Sequence, residues 1–260
     1  MTGGNSGIGK ACALALGRAG AAVTITYHSD QEGADEVVSA IRDAGGKALA
    51  CKADVAREKD VEALFAAAED AFGPVRLLVN SAGVNMSGVP IKDMGLDQFT
   101  ATLGADLIGP FLSCRRFVRG LERIEPEQGG SGAGTGAGRG RIVNISSIHE
   151  VAPRPGAVDY DSAKGGLAQL TRTLALELAP QRIAVNGVAP GMILTPMNQS
   201  ALDDREELKR KEAAIPWGRA GTPEDVAHLV TFLLGDAADY ITGTTVTIDG
   251  ALSLVIAQDA

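Results

Sequence analysis

Apolar and polar positions along the chain alternate between two rhythms. Short runs rich in β-branched residues at 22–27, 47–53, 76–80, 141–146, 183–188 and 244–248 read as strands. Between them, apolar residues recur at helical spacing over 10–18, 32–44, 57–72, 97–122, 158–179 and 223–234. Turn chemistry falls between these elements: Gly20 and Gly45 follow helices, and Thr222-Pro223 opens one. Strand–helix alternation over the whole length predicts a single α/β domain, residues 1–260, built on a doubly wound parallel sheet of Rossmann-like layout. Ligands of such sheets bind at the carboxyl ends of the strands.

Two stretches break the rhythm. Residues 129–140 hold seven glycines in twelve positions, so 125–140 reads as a flexible insertion. Residues 203–212 are dense in charge, with Leu208 their lone apolar side chain beyond the preceding Leu202, and read as a solvated helix face.

Composition narrows the function. With 260 residues, 45% hydrophobic, the chain suits one large domain. A net charge of -8 argues against a nucleic-acid surface, which needs a basic stripe, but leaves room for an anionic cofactor held by backbone amides. No apolar run approaches the roughly 18 residues that span a bilayer, and no leader segment opens the chain. Cys12, Cys51 and Cys114 are odd in number and far apart, as small buried hydrophobes of a reducing cytoplasm would be. His28, His149 and His228 have no metal-ligand spacing with them, so no metal is expected.

Candidate chemistry lies at three places. Gly3, Gly7 and Gly9 form G-x-x-x-G-x-G ahead of a helix, a loop whose backbone can approach a pyrophosphate seated on the helix N-terminus. Such a loop normally hangs from a central first strand, and too few residues precede Gly3 to make one. The expectation is a chain truncated at its N-terminus and lacking that strand; the alternative is a fold that tolerates an open groove. Tyr160 and Lys164 stand four residues apart and share a helix face, where an ammonium favours phenolate formation. Ser147 follows an apolar strand and brings a hydroxyl beside them. Tyr-x-x-x-Lys alone is a chance spacing; its company makes it a candidate for moving a proton on and off a substrate oxygen.

Together these stretches resemble the short-chain dehydrogenase/reductase family over nearly the full length. The matches are residues 2–9, Asp54-Val55, Asn80-Ser81-Ala82-Gly83, Ser147, Tyr160-x-x-x-Lys164 and residues 190–195. The resemblance implies an NAD(P)-dependent hydride transfer between the nicotinamide and a secondary alcohol or its carbonyl. Tyr160 would be the general acid/base, Ser147 would bind the reacting oxygen, and Lys164 would hold the nicotinamide ribose and depress the phenol's pKa. Cofactor contacts are implied for Gly3, Asn5, Ser6, Gly7, Ile8 and Gly9, for Asp54, Val55, Ala82 and Gly83, and for Pro190, Gly191, Ile193 and Thr195; Asn80 would brace the sheet beside them. The family usually has Asn at a fourth catalytic position where this chain has Asp106. A carboxylate there would raise the lysine pKa and offset its effect on Tyr160.

After the second family strand, Tyr27-His28-Ser29-Asp30 places no acid at the strand's last positions. His28 and Ser29 could meet a 2′-phosphate, which leans the cofactor towards NADP or dual use with NAD, while Asp30 could still select NAD. Ser146-Ser147-Ile148-His149-Glu150 and neighbouring stretches are similar to bacterial glucose 1-dehydrogenases. His149 and Glu150 then either bind substrate hydroxyls or only support their own loop. The resemblance further implies a substrate lid at 195–216 and a homotetramer. Two alternatives stay open: a 3-oxoacyl-thioester reductase using the same residues, and a cofactor-binding regulator without turnover.

Overall fold

The computed structural model describes residues 1–85, 88–123, 139–196 and 204–257. Nearly all of the glycine-rich insertion, and residues 197–203 of the expected lid, lie outside these. All strand pairs are parallel: β1 (Ala22–Tyr27) with β2 (Lys47–Lys52), and β3 (Leu77–Asn80), β4 (Gly140–Ile145), β5 (Ile183–Pro190) and β6 (Thr245–Ile248) in that order. The strands read from the sequence are therefore present, with ends moved by one or two residues.

Helices cover both faces, as parallel strands buried on two sides require. On one side α1 (Gly7–Arg18), α2 (Gln31–Asp43) and α8 (Pro223–Leu234) bury Val79 and Val143. On the other, α3 (Glu58–Phe72), α5 (Gly109–Glu122) and α6 (Val158–Leu178) bury Leu78 and Ile142. Adjacent strand residues thus feed opposite cores, the period-two consequence of a pleated strand. Of the two short helices, α4 (Leu96–Leu103) packs against α6, and α7 (Arg205–Ala213) lies towards the carboxyl ends of the strands.

The continuous helix expected over 97–122 is interrupted. A π-helical turn, Gly104–Ile108, separates α4 from α5, and Gly109 N–H donates to Gly104 O. Pro110 is the physical cause: it has no N–H to give the carbonyl of Asp106. Gly109 also presses on Val55, where a Cβ would lie 2.8 Å from Val55 Cγ2.

The expected gap in the sheet is visible between β1 and β3. Among the described residues only Met1–Gly4 lie there, and they stitch both sides. Thr2 N donates to Val79 O at 2.9 Å, Thr26 N to Met1 O at 3.1 Å, and Gly4 N to Thr26 O at 3.0 Å. Beyond this stitch a slot of about 280 Å³ runs between the strands, walled by Val23, Leu64, Phe65, Phe72, Val75 and Leu78.

Candidate active site

The first helix begins in the way an anion site requires. Ser6 is the N-cap of α1 but makes no side-chain cap, and no acidic residue occupies the first turn. Its leading N–H groups are left to an outside acceptor. The loop before it is packed too tightly for side chains. Gly3 adopts φ +63°, and a Cβ on it would lie 2.7 Å from Ala82 Cα; one on Gly9 would lie 1.9 Å from Gly3 O. Thr2 Oγ1 accepts from Ser81 N and Ala82 N, both at 3.1 Å, and fastens the loop to the end of β3. This cradle fits a dinucleotide pyrophosphate.

A cleft of about 730 Å³ runs from this loop along the carboxyl ends of the strands. Tyr160 and Lys164 enter it from one turn of α6, and Ser147 from the end of β4. Asp159, wholly buried beside Tyr160, accepts from Thr102 Oγ1 at 3.0 Å and anchors the start of α6 to α4. Ser147 Oγ accepts from His149 N at 3.2 Å, which orients the hydroxyl over a 3-10 turn, Ile148–Glu150.

Lys164 is buried and its surroundings are crowded with charge. Nζ donates to Ile145 O at 3.2 Å and lies 2.9 Å from Asp106 Oδ1 and 5.3 Å from the Tyr160 ring centroid. Desolvation, the largest influence, pulls the lysine pKa down. Asp106, then Tyr160 and Glu150, outweigh it, and the net shift is upward. The carboxylate foreseen at position 106 is thus in direct contact with the lysine.

The other candidates divide into two groups. Asn5, Ser6, Ile8, His28, Asp54, Val55, Ala82, Gly83, Pro190, Gly191, Ile193 and Thr195 line the cleft with Gly3, Gly7 and Gly9, as does His149. Ser29, Asn80 and Glu150 do not. Asn80 points into the sheet, where Nδ2 donates to Asn144 Oδ1 at 2.8 Å, and Asn144 Nδ2 donates to Thr171 Oγ1 at 2.9 Å. That chain of amides ties β3 to β4 and to α6. Asp30 caps α2 by accepting from Gly33 N, and its second oxygen accepts from Asn5 Nδ2, both at 3.0 Å.

Three contributors were not named as site residues from the sequence, although Thr2 lies in the matched stretch 2–9. Thr2 acts through the stitch just described. Arg154 and Lys211 reach the cleft from a loop and from α7. Neither basic residue belongs to a periodic or motif pattern, so only tertiary placement reveals them. Lys211 comes from the expected lid segment and pairs with Glu207 at 2.6 Å.

The chain is similar to known proteins over nearly its whole length. The family model described as enoyl-(acyl carrier protein) reductase matches residues 3–253. The 3beta-hydroxysteroid dehydrogenase 1 of Eggerthella lenta is 40% identical over 255 residues, covering 98% of this chain and 92% of that protein. Glucose 1-dehydrogenase 2 of Bacillus subtilis is 35% identical over 259 residues, covering 99% and 95%. The crystal structure of acetoin dehydrogenase from Enterobacter cloacae superposes with a TM-score of 0.85 at 36% identity, covering 100% of this chain and 96% of that one. The chain belongs to the short-chain dehydrogenase/reductase family and is an NAD(P)-dependent oxidoreductase of alcohols and carbonyls.

Proposed function

We propose that the chain interconverts a secondary alcohol and its carbonyl on a small neutral polyhydroxy compound, a sugar such as glucose being the first choice, with NADP or NAD. The observation that carries this is one cleft holding Ser147, Tyr160 and Lys164 at one end and the glycine cradle at the other. The nicotinamide, when bound, supplies or accepts the hydride. The protein's own part is proton traffic and positioning. Ser147 donates a hydrogen bond to the carbonyl oxygen, or accepts one from the alcohol. Tyr160 gives a proton to that oxygen during reduction and takes it during oxidation. Lys164 stabilises the phenolate and offers its remaining donors to a ribose hydroxyl.

Substrate hydroxyl recognition is supported at His149. Nδ1 lies 2.8 Å from Ala152 O, and since a carbonyl only accepts, Nδ1 carries the proton. With the proton on Nδ1 alone, Nε2 would be an acceptor for a hydroxyl in the cleft. Relatives named for glucose, acetoin and a hydroxysteroid all concern neutral hydroxylated compounds. His28 at the adenosine end, with Asp30 committed to α2 and Asn5, supports the lean towards NADP. Exposed Phe111 on α5 and Leu176 on α6 support assembly as a homotetramer. Among the described residues no helix is long and apolar enough to cross a membrane; we place the enzyme in the cytoplasm.

Calorimetry with NADP and NAD, followed by nicotinamide absorbance over sugars, hydroxyketones and 3-oxoacyl thioesters, tests the reading. Turnover of a sugar or hydroxyketone is expected, with NADP bound at least as tightly as NAD. Turnover confined to thioesters would replace the substrate assignment.

A further inference from the structure

We infer that Asp106 is a positioning residue: it ties the loop after β3 to Lys164, and its charge rather than its shape sets the pH range of the Tyr160–Lys164 couple. The inference rests on the acid/base reading of those two residues and adds a control on them.

Both carboxylate oxygens of Asp106 are engaged, each by a different part of the cleft. Oδ2 accepts from Val84 N at 2.9 Å, on the loop that also lines the cofactor end. Oδ1 lies 2.9 Å from Lys164 Nζ. Gly83 makes the approach possible, because a Cβ there would lie 2.5 Å from Oδ1. The π-helical turn at Gly104–Ile108 holds Asp106 at this junction. The pair is dry, with side-chain exposures of 6% for Lys164 and 0% for Asp106, so bulk salt screens it little.

Charge and shape separate at this position. Asparagine has the same size but only one acceptor oxygen. If that oxygen keeps the Val84 N–H, the amide NH₂ faces the Lys164 ammonium and the attraction is lost. The groups facing Lys164 are Asp106 from the π turn, Tyr160 from its own helix and Glu150 from the turn after Ser147, together with the Ile145 carbonyl from β4. His149 meets the Tyr160 ring edge-on at 6.1 Å, with Asp161 Oδ1 3.8 Å from its Nδ1. The Asp106 carboxylate, 2.9 Å from Nζ, opposes the lysine's field at the phenol. Removing that one charge leaves the ammonium acting on Tyr160 with Glu150 as its remaining acidic neighbour.

Asp106→Asn should therefore move the limb of the kcat/KM–pH profile that reports phenol ionisation about one unit towards acid, a ~10-fold gain in phenolate fraction on the rising limb. Superimposable wild-type and Asn profiles would overturn the inference. Asp106→Glu keeps the charge. Its limb should stay within a few tenths of a unit of wild type, and a one-unit shift would overturn the role of charge even if the Asn variant fails to fold. NMR titration of the Lys164 Nζ in cofactor-free protein gives a readout that needs no turnover. Its midpoint should drop in Asp106→Asn; an unmoved midpoint overturns the coupling. Wild-type protein inactive across the whole substrate panel would instead count against the proposed function alone.

Discussion

Tyr160→Phe should lower kcat/KM by about 10²–10⁴-fold while leaving dinucleotide affinity nearly unchanged. The substitution deletes one oxygen and keeps the ring. The aromatic face remains 5.3 Å from Lys164 Nζ, and the edge contact with His149 at 6.1 Å remains available. What disappears is the group that exchanges a proton with the substrate oxygen. Steady-state rates at saturating cofactor, with calorimetric dissociation constants measured beside them, separate the two effects. A variant with full activity would remove Tyr160 from the chemistry and reopen the reading of the protein as a regulator that only binds cofactor. Equal losses of rate and of affinity would mean that the phenol is part of the cofactor site rather than the acid/base.

The second large effect is expected at the other end of the cleft. Gly9→Ala puts a methyl group where Gly3 O already stands, 1.9 Å from the ideal Cβ position, and 3.2 Å from Gly4 Cα. Both neighbours are backbone, so no side-chain rotation relieves the overlap. The loop must move away from α1, and the N–H groups of the first turn then face no cradle. Dinucleotide affinity should fall by about 100-fold or more, equivalent to roughly 3 kcal/mol. Fold stability should fall as well, since overpacking of this kind costs about 1–3 kcal/mol. Calorimetry and thermal melts on the same preparation test both. Wild-type affinity in the variant would show that the loop does not seat the cofactor.

The strands were legible because each is an apolar, β-branched run whose neighbours face opposite cores, as Leu78 and Val79 do in β3. The parallel layout followed from the helices between them. The interruption at Gly104–Ile108 was not read, although Gly109-Pro110 in the middle of a helical pattern was a local signal for it. Asp106 was legible as a departure in residue type, but its contact with Lys164 depends on how the π turn meets α6. The glycine loop, Ser147 and the Tyr160–Lys164 pair located the cleft, and the sheet interior decided finer questions. Asn80 lies next to Ser81, which reaches the cleft, yet its own side chain turns inward to Asn144. Arg154 arrives from a loop whose path no residue pattern encodes, and Lys211 from a segment expected as a lid without this residue being singled out.

The slot between β1 and β3 divides the sheet into a two-stranded piece and a four-stranded piece joined by Met1–Gly4. The cleft crosses that seam. Tyr27 and His28 wall it from the small piece, and Ser147 and Gly191 from the large one. A dinucleotide laid along it grips both pieces, and whatever binds the native state alone adds to its stability, about 2.7 kcal/mol at a hundred times the dissociation constant. A dinucleotide bound there would also act as a clasp, with the molecule that serves the chemistry spanning both pieces of the sheet.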